Sequence, residues 1–188
     1  MANQGRILIT GCGRSGTNYT SVLLRRCGLD VAHERRVGAD GVCSWLLAPV
    51  ASSAPWGPVS ADWSFEHTFH LVRHPLAALP SITTFGRRAW EFIADHVPLD
   101  ASDPPLLQAA AYWYHWNVLV EDRTDRLLRI EDMPDAVATV CEAVGLTPDP
   151  DAIRRVPTDL NTRRRGRLVN VVESKFHDLG VEIGRAHV

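Results

Sequence analysis

Seven residues near the start of the chain, Gly11-Cys12-Gly13-Arg14-Ser15-Gly16-Thr17, have the make-up of a backbone anion cradle. Glycines allow a tight path, consecutive N–H groups can face one anion, and a helix opening at Thr17 adds its dipole. Arg14 places a cation inside that cradle. A second cation, Arg73, follows the run His67 to Val72, and Ser81 lies eight residues further on. On a helix that separation is a little over two turns, so both can lie on one side near the helix start. His33 and Glu34 close another short apolar run and are the candidate general bases, Glu34 first and His33 second. Strand neighbours point to opposite faces, so one of the two is expected to face the site. A solvated charged turn is the plain alternative for this pair. His74 and His115 read as structural histidines.

The elements that would position these groups follow from pattern. Arg6 to Thr10 reads as a buried strand, Thr17 to Cys27 as a helix stopped at Gly28, and Leu29 to Ala32 as a second strand. Residues 35–66, rich in Gly, Pro and Trp, read as loop, with a helical turn at Ser44 to Val50. That loop either covers a substrate or is an excursion packed by its tryptophans. His67 to Val72 reads as a third strand and Pro75 begins a helix, which Pro80 bends or restarts. Pro104 to Asp122 is the clearest helix; its stripe of Tyr112, Trp113 and Trp116 reads as core. Arg126 to Ile130 is a fourth strand, and Met133 to Val144 a helix closed by Gly145. Strand and helix alternate, which predicts an α/β domain: three layers, α/β/α, with a mainly parallel central sheet. One domain spans 1–188, with a loop-rich insertion at 35–66 and a basic C-terminal segment at 151–188.

The loop pattern G-x-x-x-x-G-T resembles a Walker A loop, and so predicts a P-loop nucleotide-binding-like fold. The lysine before the terminal Thr is absent. A kinase or nucleoside-triphosphate hydrolase uses that ammonium at the β- and γ-phosphates, so its absence argues against phosphoryl transfer. Such a kinase or hydrolase with a displaced cation stays as one alternative, and a non-catalytic nucleotide-binding module as another.

The same residues resemble the sulfotransferases that use 3′-phosphoadenosine 5′-phosphosulfate. Arg14, Ser15, Gly16 and Thr17 match the family's 5′-phosphosulfate loop. Arg73 and Ser81 match its strand-end Arg and helical Ser, which hold the 3′-phosphate. Leu127 to Met133 resembles a strand end common in the family, where Arg129, Glu131 and Asp132 are expected to be structural. The resemblance implies that Gly13, Arg14, Ser15, Gly16, Thr17 and Asn18 surround the 5′-phosphate. It also implies Tyr19 as an adenine stacker, with helix packing as the alternative. Arg163, Arg165 and Gly166 would cover the 3′-phosphate, unless that run is simply solvated. Family members use Glu or His as base, which implies Glu34 or His33 here, with Arg14 stabilising the leaving phosphate. The implied acceptor is a hydroxyl on a small metabolite, carbohydrate or lipid, and no metal is implied.

Composition sets the outer limits. The 188 residues carry 20 basic and 22 acidic side chains, a net charge of −2. That balance gives no reason to expect a nucleic-acid partner or a membrane surface. All basic residues but Lys175 are arginine, so fixed planar cations dominate. The four cysteines have no C-x-x-C spacing, so neither zinc nor a redox pair is expected, and the cytoplasm is the simplest compartment. Arg6 interrupts the early apolar run, against a signal peptide, and no run approaches the ~20 residues of a membrane span. Self-association into a homo-oligomer is compatible with the sequence.

Overall fold

In the computed structural model, which describes residues 3–49 and 63–157, the first strand is β1, Asn3–Thr10. Ile7, Leu8 and Ile9 are all buried, as expected for a parallel strand covered on both faces. The chain continues through α1 (Thr17–Arg26), β2 (Val31–His33), β3 (Gly41–Cys43) and a 3₁₀ turn at Trp45–Leu47. Then come β4 (Trp63–Val72), α2 (Pro75–Ile82), α3 (Arg87–Ala94) and α4 (Pro105–Glu121). β5 (Arg126–Arg129), a 3₁₀ turn at Ile130–Asp132, α5 (Val137–Ala143) and α6 (Pro150–Arg154) complete the described chain. All strand pairs are parallel, in the order β2-β3-β1-β4-β5.

This order dictates the layers. The β1-to-β2 connection moves one way along the sheet, and the β3-to-β4 and β4-to-β5 connections move the other way. Right-handed crossovers in opposite directions place their helices on opposite faces. Two separate cores result. On one face Ile7, Ile9, Phe69 and Leu71 pack with Leu23 and Leu24 of α1 and with Val137 and Val140 of α5. On the other face Trp45 joins α2, α3 and α4 around Tyr112, Trp113 and Trp116. Over the described residues the protein is therefore an α/β fold with an all-parallel five-stranded sheet between helical layers, as the alternation of elements predicts.

Several element boundaries differ from the sequence reading. β3 lies inside 35–66, read there as loop. It has only three residues, and Gly41 is needed because a Cβ there would lie 1.9 Å from the Ile7 carbonyl oxygen. Residues 50–62 of that segment lie outside the described residues. β4 starts at Trp63 rather than His67, and α3 was not foreseen. α2 runs through Pro80, which forfeits one intrahelical bond without ending so short a helix. The helix read from Met133 begins at Val137. α1 ends as expected: Gly28 is left-handed (φ 91°) and Leu29 N–H bonds back to the Leu24 carbonyl at 3.1 Å. Cys27 and Cys141, far apart in sequence, meet in the same apolar cluster, and burial pushes the Cys141 thiol up to about 12. No helix among the described residues is long and apolar enough to cross a membrane.

Candidate anion-binding site

The loop from β1 to α1 sits where the sheet's connections part to opposite faces, the usual position of a ligand crevice in an open α/β sheet. Gly11 packs directly on β4: a Cβ there would stand 2.1 Å from the Leu71 carbonyl oxygen. Its own carbonyl accepts the Trp116 Nε1–H at 3.1 Å. At Gly13 a Cβ would meet the Phe85 ring at 2.8 Å and the Tyr112 hydroxyl at 3.0 Å. The Gly13 N–H donates to the Tyr112 hydroxyl oxygen at 2.7 Å. Ser15 turns inward as well, its N–H and hydroxyl both donating to the Cys12 carbonyl.

This corrects the expectation that Gly13 and Ser15 offer donors to a ligand, because the donors of both are already used inside the loop. The groups that remain begin at the helix. Gly16 is left-handed (φ 105°), provides no side-chain cap, and its carbonyl accepts the first intrahelical bond, from Thr20 N–H at 3.0 Å. The N–H groups of Thr17, Asn18 and Tyr19 therefore point out of the helix start without intrahelical partners. No acidic residue occupies that first turn, so the positive end of the dipole is uncompensated.

Two arginines flank the loop that leads into this helix. Arg14 is left-handed (φ 76°), which is uncommon for a residue with a side chain, and its guanidinium stacks 4.6 Å over the Phe85 ring. Arg73 follows β4 directly and donates from Nη1 to the Arg14 carbonyl at 3.3 Å. The Arg73 carbonyl in turn accepts the Trp113 Nε1–H at 3.1 Å. The next residue, His74, donates its N–H to Glu131 Oε1 at 2.8 Å, so Glu131 fixes the start of α2. Ser81 lies in the last turn of α2, half-buried, and its hydroxyl has no hydrogen-bond partner among the described residues. The structure brings Arg73 to the loop and leaves Ser81 further along the helix, about 9 Å of axial rise beyond Pro75.

Beside the loop, at the end of β2, His33 Nε2 lies 3.1 Å from Thr17 Oγ1 and 3.9 Å from Glu34 Oε1. The expected strand alternation fails here, because β2 ends at His33 and Glu34 is left-handed (φ 61°), its N–H held by the Cys43 carbonyl at 2.9 Å. The turn brings the two side chains together instead of setting them on opposite faces. Carboxylate and hydroxyl approach the same ring nitrogen, unlike a hydrolase triad, in which they take opposite nitrogens. Burial, and secondarily Arg25, lower the His33 pKa, while Glu34 opposes them. A neutral imidazole beside the loop results.

Tyr19 is buried at 9% exposure in the aliphatic core, so helix packing, not adenine stacking, is the role observed. Asn18 is half-buried, and its carbonyl accepts the Ser21 hydroxyl at 2.8 Å. Arg163, Arg165 and Gly166 lie outside the described residues. Phe85, Tyr112, Trp113 and Trp116 are the loop contacts that sequence reasoning did not assign. Their aromatic spacing signals a buried helix face, but nothing local signals hydrogen bonds to residues 40 to 105 positions away.

The chain matches no family model, no curated protein and no solved structure. The functional case is carried by the residues themselves. Among the described residues, no three His, Cys, Asp or Glu side chains converge as metal ligands. What the arrangement can do chemically is hold a polyanion: open helix N–H groups, two arginines at one strand edge, and a neutral imidazole beside the cradle.

Proposed function

We propose that the chain is a sulfotransferase that moves a sulfuryl group from 3′-phosphoadenosine 5′-phosphosulfate to a hydroxyl acceptor. The observation that carries this reading is the bond from Arg73 to the carbonyl of Arg14, 59 residues away, in the loop that leads into the uncapped start of α1. In this reading the N–H groups of residues 16–19 and the Thr17 hydroxyl hold the 5′-phosphate. Arg14 faces the oxygen that bridges sulfur and phosphorus, and Arg73 with Ser81 meets the 3′-phosphate. The acceptor oxygen attacks sulfur in line, the S–O bond to the 5′-phosphate breaks, and the bisphosphate nucleotide leaves. The acceptor's proton passes to His33 or Glu34. Guanidinium does not give up a proton near neutrality, so Arg14 acts by charge, where pre-set dipoles and cations are most effective.

The acceptor in this proposal is a small metabolite, carbohydrate or lipid, and the net charge of −2 favours none of the nucleic-acid alternatives. The cysteines of the chain are free thiols, which supports a reducing, cytoplasmic setting. The chain works alone or as a homo-oligomer in this scheme.

Calorimetric binding of 3′-phosphoadenosine 5′-phosphate against 5′-AMP tests the reading. At least a tenfold preference for the bisphosphate is expected, equivalent to about 1.4 kcal/mol. No preference would sink the role of Arg73 and Ser81. Magnesium-dependent binding of ATP would favour the kinase or hydrolase alternative, and nucleotide binding without transfer to any acceptor would favour a non-catalytic module.

A further inference from the structure

We propose that Tyr112 is a positioning residue that sets the path of the anion loop by clasping Gly13. The Gly13 N–H donates to the Tyr112 hydroxyl oxygen at 2.7 Å. The Cys12 thiol donates to the Gly13 carbonyl at 3.2 Å. The peptide before Gly13 is thereby held by the phenol and the peptide after it by the thiol. The clasp is sealed from water, because Tyr112 and Cys12 are almost completely buried.

The clasp has a direct consequence for the residue that follows. Arg14 takes a left-handed conformation, which costs free energy for a residue with a side chain and persists only where neighbours over-determine it. The clasp fixes the peptide before Arg14. Arg73 holds its carbonyl and the Phe85 ring lies beneath its guanidinium. Tyr112 is thus one of three restraints that hold Arg14 in this conformation. It also turns the Gly13 N–H away from any anion, which confines the cradle to Gly16 onward. Without the phenol oxygen the Gly13 N–H is a buried orphan, and the peptide gains by rotating toward water. Arg14 moves with it. The proposal rests on the reading of this loop as the anion site, not on the identity of the nucleotide.

The test uses the full chain and inorganic pyrophosphate as probe. In residue-resolved amide exchange, Gly13 should be among the slowest loop amides without ligand, and fast exchange there overturns the clasp. Added pyrophosphate should shift the amide signals of residues 16–19 and leave Gly13 nearly unmoved. An equal shift at Gly13 also overturns it, and neither measurement needs a variant. Tyr112→Phe should speed Gly13 exchange and weaken pyrophosphate binding on the order of tenfold, as expected for an orphaned buried N–H. Cys12→Ala removes the thiol from the Gly13 carbonyl but keeps the Gly13–Tyr112 bond, and should weaken binding less than about threefold. Faster exchange in Tyr112→Phe with unchanged affinity would mean that the phenol only packs. Normal pyrophosphate binding without preference for 3′-phosphoadenosine 5′-phosphate over 5′-AMP would remove the sulfotransferase reading and leave the clasp standing. No pyrophosphate binding at all would overturn the clasp as an anion-positioning device.

Discussion

The two faces of the sheet are packed with different chemistry. Under α1, α5 and α6 the core is mainly aliphatic: Leu23, Leu24, Val137 and Val140 against Ile7, Ile9 and Leu71. Under α2, α3 and α4 it is aromatic, with Trp45, Phe92, Tyr112, Trp113 and Trp116. Aliphatic side chains exclude water and pack, but carry no polar atom. Indole and phenol combine a large apolar body with a polar tip that seeks a partner when buried. On the aromatic face those partners are the Gly11 carbonyl, the Gly13 N–H and the Arg73 carbonyl. One core holds the sheet together, and the other does so while also shaping the loop above it.

The largest expected effect tests that contrast directly. Trp116→Ala should cost about 3–5 kcal/mol of stability, from lost volume and an orphaned Gly11 carbonyl. Leu23→Ala on the aliphatic face should cost a comparable 2–5 kcal/mol. Thermal melts should not separate the two, whereas pyrophosphate affinity of the folded protein should fall only for Trp116→Ala. Equal losses of affinity would erase the distinction between the faces.

A smaller effect is expected at Gly16, where the loop touches the aliphatic side. A Cβ there would lie 2.6 Å from Ile130 Cδ1, on a left-handed backbone. The far end of Ile130 can shift, so Gly16→Ala should cost about 1–2 kcal/mol, mostly backbone strain. A stability unchanged in urea unfolding would show that Ile130 and the loop yield freely. Smaller still is Glu131→Gln, which keeps an acceptor for His74 N–H but removes the charge at the start of α2. About 0.5 kcal/mol should be lost, less at high salt; a loss above 2 kcal/mol would mean that Glu131 carries more than a helix start.

The gentlest probe is pH. Burial sets the folded pKa of His33 below its ordinary 6.5, so the unfolded chain takes up the proton first on acidification. The associated stability is fully present above 6.5 and is lost as pH falls from there through the lower folded value. His33→Gln should flatten that segment of the stability profile. A wild type that grows more stable on acidification through the window contradicts a buried neutral imidazole.

How much of this was legible in the sequence depended on how local each signal was. β1, the loop, α1 and β2 follow from apolar periodicity and glycine placement within about 30 consecutive residues. β3 was hidden, because Gly-Val-Cys is too short to show alternation and the need for Gly41 comes from Ile7, far back in the chain. The resemblance implied that Arg14 and Arg73 serve one nucleotide, but not the bond from Arg73 to the Arg14 carbonyl. The pairing of His33 with Glu34 could not be read, since it depends on a left-handed turn at a glutamate, a residue that does not advertise one. The aromatic residues of α4 were readable as core, but the loop groups they hold were not.

All three of those hydrogen bonds come from one stretch of α4, residues 112–116. That helix grips the strand-end loop of β1 and the strand end of β4 at once. The two cationic segments are therefore held in one register by the same helix. A ligand that bridges them binds its second end as an intramolecular step, with no added cost of bringing the two segments together. For such a ligand, α4 acts as a lever that both ends share.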